Sequence, residues 1–242
     1  MKNYLQLKNI CKYYDNKIIL KDISFSIDKS ELVAVLGPSG CGKTTLLKIA
    51  AGFLEAEQGT VYKDGTEISG VGADRIMVFQ EFRQLFPWKT VLDNVIFALQ
   101  AKEIAENYSE REEIARHYLK RVELNEVFSH YPHQLSGGMK QRVALARTLA
   151  ADPEIMLMDE PFGSLDSQTR SRLQKLLLDI WQEDQKTILF VTHDIEEAIL
   201  LADRIVIMDK NPGCIKKIVD NNLSRPRDKA GIEFREMYKI IN

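Results

Sequence analysis

The sequence predicts a layered α/β fold with a mainly parallel sheet, an antiparallel β subdomain before it and a helical subdomain inserted into it. Three observations carry that expectation. Short, continuous apolar runs occupy 32–36, 76–79, 155–158, 188–191 and 205–208, as suits strands buried on both faces of a parallel sheet. Helical patterns separate several of these runs, which favours helices layered over the sheet. The stretch 21–29 alternates instead, with Ile23, Phe25 and Ile27 on one side and Ser24 and Ser26 on the other. That period of two marks a half-buried antiparallel strand.

In chain order, the alternating strand is followed by the apolar run 32–36, a glycine-rich turn and a helical pattern through Leu46, Leu47, Ile49 and Ala50. A short strand follows at 59–62, closed by the tight turn of Asp64 and Gly65. Beyond the run at 76–79, residues 91–150 show helical patterns and no clear strand, which predicts the inserted subdomain. The charged stretch 102–120 reads as solvated helix faces. The remaining apolar runs complete the sheet, and 224–242 reads as a short tail to a single domain spanning 1–242.

Composition sets limits on function. The 242 residues are 45% hydrophobic and 28% charged, enough to bury a substantial core. A net charge of −2 argues against a dedicated nucleic-acid binder. Cys11, Cys41 and Cys214 form no CxxC pair, so neither a disulfide framework nor a zinc site is expected. The N-terminal residues lack the apolar block of a signal peptide. No apolar run reaches the length of a membrane-spanning helix: 91–101 is interrupted by Asp93 and Asn94, and 195–208 by Glu196, Glu197, Asp203 and Arg204. A soluble protein is expected, whose membrane role, if any, comes through partners.

Gly37-Pro38-Ser39-Gly40-Cys41-Gly42-Lys43-Thr44, followed by Thr45, fits G-x-x-x-x-G-K-[ST] between a buried strand and a helix. Glycines allow successive backbone N–H groups to curl toward phosphate oxygens, and the following helix adds its positive end. Lys43 is expected to neutralise the β- and γ-phosphates and Thr44 to offer its hydroxyl to Mg²⁺. The core is thus read as a P-loop NTPase. The run 155–158 ends in Asp159 and Glu160. Asp159 is a candidate Mg²⁺ ligand, and Glu160 is a candidate base that orients the attacking water. No N-K-x-D guanine-reading motif occurs, since Asn16-Lys17 is followed by Ile18-Ile19. Adenine is preferred, and ATP with Mg²⁺ is expected.

Leu135-Ser136-Gly137-Gly138-Met139-Lys140-Gln141-Arg142 resembles the signature of ATP-binding cassette (ABC) ATPases, with Met139 in place of the usual Gln. Ser136, Gly137 and Gly138 begin a helical run, so exposed donors suited to a γ-phosphate are expected there. The resemblance implies that this surface completes the site of a second cassette, and hence a homodimer. It further implies that Tyr14 (or its neighbour Tyr13) stacks on adenine and that Gln80 lies near Mg²⁺. Asp166, within Ser164-Leu165-Asp166, would line the interface between cassettes, and His193 would contact the γ-phosphate. Cys41, inside the loop, is expected near the nucleotide, so its alkylation would block ATP.

The stretch Gln80-Glu81-Phe82-Arg83-Gln84-Leu85-Phe86-Pro87-Trp88 is similar to that of ATPases of the nitrate/sulfonate/taurine importer group. Tyr131-Pro132-His133-Gln134, Asp159-Glu160-Pro161-Phe162-Gly163 and Thr192-His193-Asp194-Ile195-Glu196-Glu197-Ala198 fit the same group. Membership implies an ATPase at the cytoplasmic face of the cell membrane, working with two membrane-spanning permease subunits and, indirectly, a substrate-binding protein. Residues 82–88 would help receive a helix of the permease, or Phe86 and Trp88 would pack into the helical subdomain. The alternatives are a soluble ABC ATPase acting on nucleic acid or ribosomes and a catalytically silent assembly subunit. The first is disfavoured by the lack of a basic surface, the second by the intact Lys43, Asp159, Glu160 and His193.

Overall fold

The computed structural model describes residues 2–15, 17–80 and 84–242. It divides into two compact units, the first comprising Met1–Met77, Ile155–Glu160 and Gln185–Asn242, the second Val78–Glu154 and Pro161–Asp184.

The first unit opens with an antiparallel sheet. Strands β1 (Leu5–Tyr14) and β2 (Lys17–Ile27) pair as a hairpin, and β4 (Gln58–Lys63) and β5 (Thr66–Glu67) extend it in the order β2-β1-β4-β5. On β2, Ile23, Phe25 and Ile27 are buried while Asp22 and Ser24 face outward, the alternation expected of a one-sided sheet. The second sheet runs β10-β9-β3-β8-β7-β6, from Cys214–Asp220, Arg204–Asp209, Leu32–Leu36, Thr187–Thr192, Ile155–Asp159 and Arg75–Val78. Strands β9, β3, β8 and β7 are mutually parallel, and β10 returns antiparallel along β9. Every residue of β3, β7 and β8 is buried, which accounts for their unbroken apolar sequences.

Helix α1 (Lys43–Ala51) follows β3, and α6 (Ile195–Leu201) follows β8. The last helix, α7 (Ile232–Ile241), packs on α6. Between them Arg227, almost fully buried, donates to the carbonyls of Ile199, Leu200 and Ala202 and so satisfies the end of α6. Burial, with Arg225 alongside, pushes its pKa down to about 10.

The second unit is helical: α2 (Val91–Ala101), α3 (Tyr108–Arg121), α4 (Gly137–Ala150) and α5 (Ser167–Asp184). Thr90, Asn107 and Ser136 cap the first three, each side chain accepting a backbone N–H from the first turn. Asn94, wholly buried, accepts from Phe86 N–H and donates to the carbonyls of Phe86, Lys89 and Thr90. One side chain thereby fixes the turn that carries Pro87 and Trp88. Trp88 is 71% exposed and Phe86 lies between it and Phe97, with ring centroids 5.5 and 4.6 Å apart. Phe82 lies outside the described residues.

Candidate active site

Three neighbouring parallel strands of the first unit end side by side and deliver the chemistry. The end of β3 gives the glycine loop, the end of β8 gives His193, and the end of β7 gives Asp159 and Glu160. The carboxyl edge of a parallel sheet is where such folds place their ligands.

The loop is shaped from behind. A Cβ on Gly37 would stand 2.8 Å from the Met208 carbonyl and 2.9 Å from Cys41 Sγ. Gly42 sits at φ +97 with Leu20 Cδ2 only 2.6 Å from where its Cβ would be, so both glycines are sterically required. Pro38, Ser39 and Gly40 are exposed, as are Thr44 and part of Thr45, leaving the outer side of the loop open. Lys43 is 5% exposed and its ammonium donates to the Gly37 and Pro38 carbonyls at 2.7 and 3.1 Å.

Cys41 faces inward. Its side chain is 1% exposed, with Sγ packed beneath Gly37. Burial pushes the thiol pKa up, against a smaller opposing pull from Lys43. A buried thiol held protonated is a poor nucleophile, so modification of Cys41 is expected to require opening of the loop.

Thr44 Oγ1 donates to Asp159 Oδ1 at 3.0 Å. Asp159 is 5% exposed, and burial holds its carboxyl above the usual range; the Thr44 bond opposes this and Glu160 adds to it. A hydroxyl and a carboxylate at this separation are hard oxygen donors that suit Mg²⁺. Among the described residues no group of three His, Cys, Asp or Glu side chains is placed to hold a metal. A cation at Thr44 and Asp159 therefore fits the Mg²⁺ habit of using one carboxylate together with water and phosphate oxygens.

Glu160 adopts φ +41, unusual for a residue with a side chain. Its N–H is anchored to the Val191 carbonyl on β8 at 3.1 Å, and its Oε2 lies 3.2 Å from His193 Nδ1. Backbone strain held by surrounding structure is a common property of functional residues. His193 is itself held from both sides. Thr192 Oγ1 donates to the buried Glu197 carboxylate at 2.7 Å and accepts the Asp194 N–H at 3.0 Å, while Asp194 caps α6. No role was read from Glu197 in the sequence, although its motif was singled out. Tyr14 ends β1 with its side chain about half exposed.

The other candidates belong to the second unit. Gln80 is exposed just beyond β6. Ser136 is exposed and caps α4 through Met139 N–H. Gly137 opens that helix and Gly138 is buried; a Cβ on Gly138 would stand 2.3 Å from Thr169 Cγ2 on α5. Asp166 is exposed and accepts the N–H groups of Gln168 and Thr169 at the start of α5, and these bonds hold its carboxyl below the usual range. Arg147, absent from the sequence-derived candidates, donates from α4 to the Gln84 carbonyl.

A glycine loop feeding a helix, with an acid pair ending a parallel strand nearby, defines a P-loop nucleotide-binding protein. Comparison with known proteins makes this more specific. Residues 20–163 match the family model described as "ABC transporter". An uncharacterized ABC transporter ATP-binding protein of Methanocaldococcus jannaschii is 51% identical, covering 100% of this chain and 91% of its own. An aliphatic sulfonates import ATP-binding protein of Bacillus thuringiensis is 44% identical over 96% of this chain and 92% of its own. A taurine import ATP-binding protein of Escherichia coli O157:H7 is 46% identical over 96% and 90%. The solved dimeric structure of a bacterial ABC transporter cassette aligns with a TM-score of 0.80 at 37% identity, covering 91% of this chain and all of that one. The chain belongs to the ABC transporter family of ATP-binding subunits. It is an ABC ATPase, and among its described residues no helix is long and apolar enough to cross a membrane.

Proposed function

We propose that the protein is the ATPase of an importer, acting as a head-to-tail homodimer at the cytoplasmic face of the membrane beneath two permease subunits. The importer relatives named above support this reading, and the dimeric cassette supports the assembly. A substrate-binding protein feeds the permeases and never touches this chain. The imported compound belongs to the sulfonate and taurine class named for the relatives. Exposed Trp88 and Phe97 flank the half-buried Phe86, whose backbone Asn94 holds, and this cluster suits an anchor for a permease helix.

The observation that carries the catalytic reading is the Glu160–His193 contact at the mouth of the glycine loop's own sheet edge. Backbone N–H groups between Ser39 and Thr45 cradle the phosphates, and Lys43 places its ammonium on the β- and γ-oxygens. Glu160 orients and polarises the attacking water, accepting its proton as the bond to the γ-phosphorus forms. His193 holds Glu160 in place and donates toward the γ-phosphate. Thr44 and Asp159 would hold Mg²⁺, which when bound would offset charge on the phosphate oxygens. Tyr14 stacks on adenine. Ser136, Gly137, Gly138 and Asp166 serve the nucleotide of the partner cassette.

Glu160→Gln keeps the shape of the side chain and removes its basicity. Turnover of ATP is expected to fall about 10²- to 10⁴-fold with ATP still bound. Retention of wild-type turnover would assign the base elsewhere.

A further inference from the structure

Strand β1 ends in an arrangement that the roles above leave unused. Lys12 is only 7% exposed, although a lysine is almost never so buried unless paired. Its ammonium donates to Glu57 Oε1 at 2.6 Å and to the Glu55 carbonyl at 2.7 Å. The same ammonium lies over the Tyr14 ring, 5.4 Å from the centroid. The other oxygen of Glu57 accepts the Tyr13 N–H at 2.9 Å, and the Glu57 N–H itself bonds the Cys11 carbonyl at 3.0 Å. Along this stretch β1 changes register against β2 between Ile10 and Lys12 and again between Lys12 and Tyr13. Register irregularities of that kind re-aim side chains.

From this geometry we infer that Lys12 and Glu57 are positioning residues for nucleobase binding, setting the Tyr14 ring so that one face is closed by a cation and the other is offered to adenine. The inference rests on the reading that Tyr14 stacks on the base. A buried ammonium is costly unless paired. Here the pairing is supplied by Glu57 and Glu55, whose positions therefore decide where the charge sits. The cation attracts the ring's π-electrons. The opposite face becomes less electron-rich, which lessens its repulsion with the electron-rich face of a stacked purine. Glu57 also fixes the backbone immediately before Tyr14, so one carboxylate sets both the ring's attachment and the cation beneath it. The lysine and the glutamate lie 45 residues apart in sequence, which is why no local pattern joins them.

The test separates base from phosphate. Affinities of the full chain for Mg²⁺ with AMP-PNP and for Mg²⁺ with inorganic tripolyphosphate are measured for wild type, Tyr14→Ala, Lys12→Met, Lys12→Arg and Glu57→Gln. Lys12→Met is expected to weaken AMP-PNP binding about 3- to 10-fold, and Glu57→Gln to act in the same direction. Lys12→Arg keeps a cation beside Tyr14 and is expected to lose less AMP-PNP affinity than Lys12→Met. Tripolyphosphate affinity is expected to stay the same throughout. If Tyr14→Ala loses AMP-PNP affinity while Lys12→Met and Glu57→Gln do not, the positioning role is wrong and the stacking reading stands. If Tyr14→Ala binds AMP-PNP normally, the stacking reading falls and takes this inference with it. A loss shared by tripolyphosphate, or shown equally by Lys12→Arg, would assign the pair to general packing and overturn the proposal. Glu57→Gln is nearly isosteric at a half-exposed site, so it remains readable if Lys12→Met fails to fold.

Discussion

Asp159 keeps a carboxylate where burial disfavours charge, and its consequences depend on pH in a definite direction. The folded-state pKa is raised, so the folded chain holds this proton to higher pH than the unfolded chain does. Stability from this group is full below the unfolded value and falls as pH rises through the folded one. Asp159→Asn is therefore expected to melt higher than wild type at neutral pH without nucleotide, and the gap to close on acidification. With Mg²⁺ and ATP the order is expected to reverse at neutral pH; melting curves taken from neutral pH down toward the ordinary aspartate range check the first sign, and curves at neutral pH with nucleotide the second. Cys41 and Cys214 make a second contrast. Maleimide labelling followed by intact-mass analysis is expected to modify Cys214 first and Cys41 only on unfolding, since Cys41 is buried and Cys214 is partly exposed. Labelling of folded protein at Cys41 would refute the packing described for the loop. At this scale the sequence revealed residue types better than surroundings. Lys43, Thr44, Asp159 and Glu160 stand in local patterns with one chemical purpose. Lys12, Glu57 and Arg147 do not, because their partners come from distant segments. The orientation of the Cys41 thiol depended on Gly37 packing over it, which spacing does not express.

Helices and strands were legible in proportion to how completely they are buried. The runs at 155–158, 188–191 and 205–208 became β7, β8 and β9 with an added residue or two at their ends. Strand β10 was not read, because Lys216 and Lys217 face water on a sheet edge and break any apolar pattern. Helix α7 went unread within the tail for a similar reason: Ile232, Tyr238 and Ile240 remain exposed and blur its buried face. The start of α4 shows a different dependence, on close approach rather than pattern. Gly138→Ala would drive a methyl into Thr169 Cγ2 and is expected to cost about 1–3 kcal/mol in urea denaturation. Thr169→Ser removes the obstructing methyl and is expected to recover most of that loss. Additive effects in the double mutant would mean the two helices are not in contact through this pair.

As a whole molecule, the chain supplies two kinds of surface, the loop with its acid pair in the first unit and the Ser136 segment in the second. The proposed dimer makes turnover depend on encounter. ATP hydrolysis per chain is expected to rise with protein concentration and then level off, as mass action requires for an active dimer. Ser136→Arg is expected to abolish that turnover while leaving AMP-PNP affinity of the isolated chain within about twofold. A rate per chain that is flat from nanomolar to micromolar protein would contradict a shared site. The layered α/β architecture was evident from apolar runs because a sheet buried on both faces has little alternative. Membrane partners are implied only through likeness to relatives, since among the described residues no helix is long and apolar enough to cross a membrane.

Lys43 braces its own loop from within. Its ammonium ties the Gly37 and Pro38 carbonyls, so the backbone takes its curved shape during folding and loses little further entropy when an anion arrives. To meet a phosphate the ammonium must give up bonds it already has. A small, singly charged anion such as chloride offers one weak contact in exchange for two carbonyls, whereas a triphosphate tail offers several charged oxygens to the lysine and the loop together. In the proposed function these two contacts would act as a threshold, so chloride is expected to compete poorly with a polyphosphate for the loop.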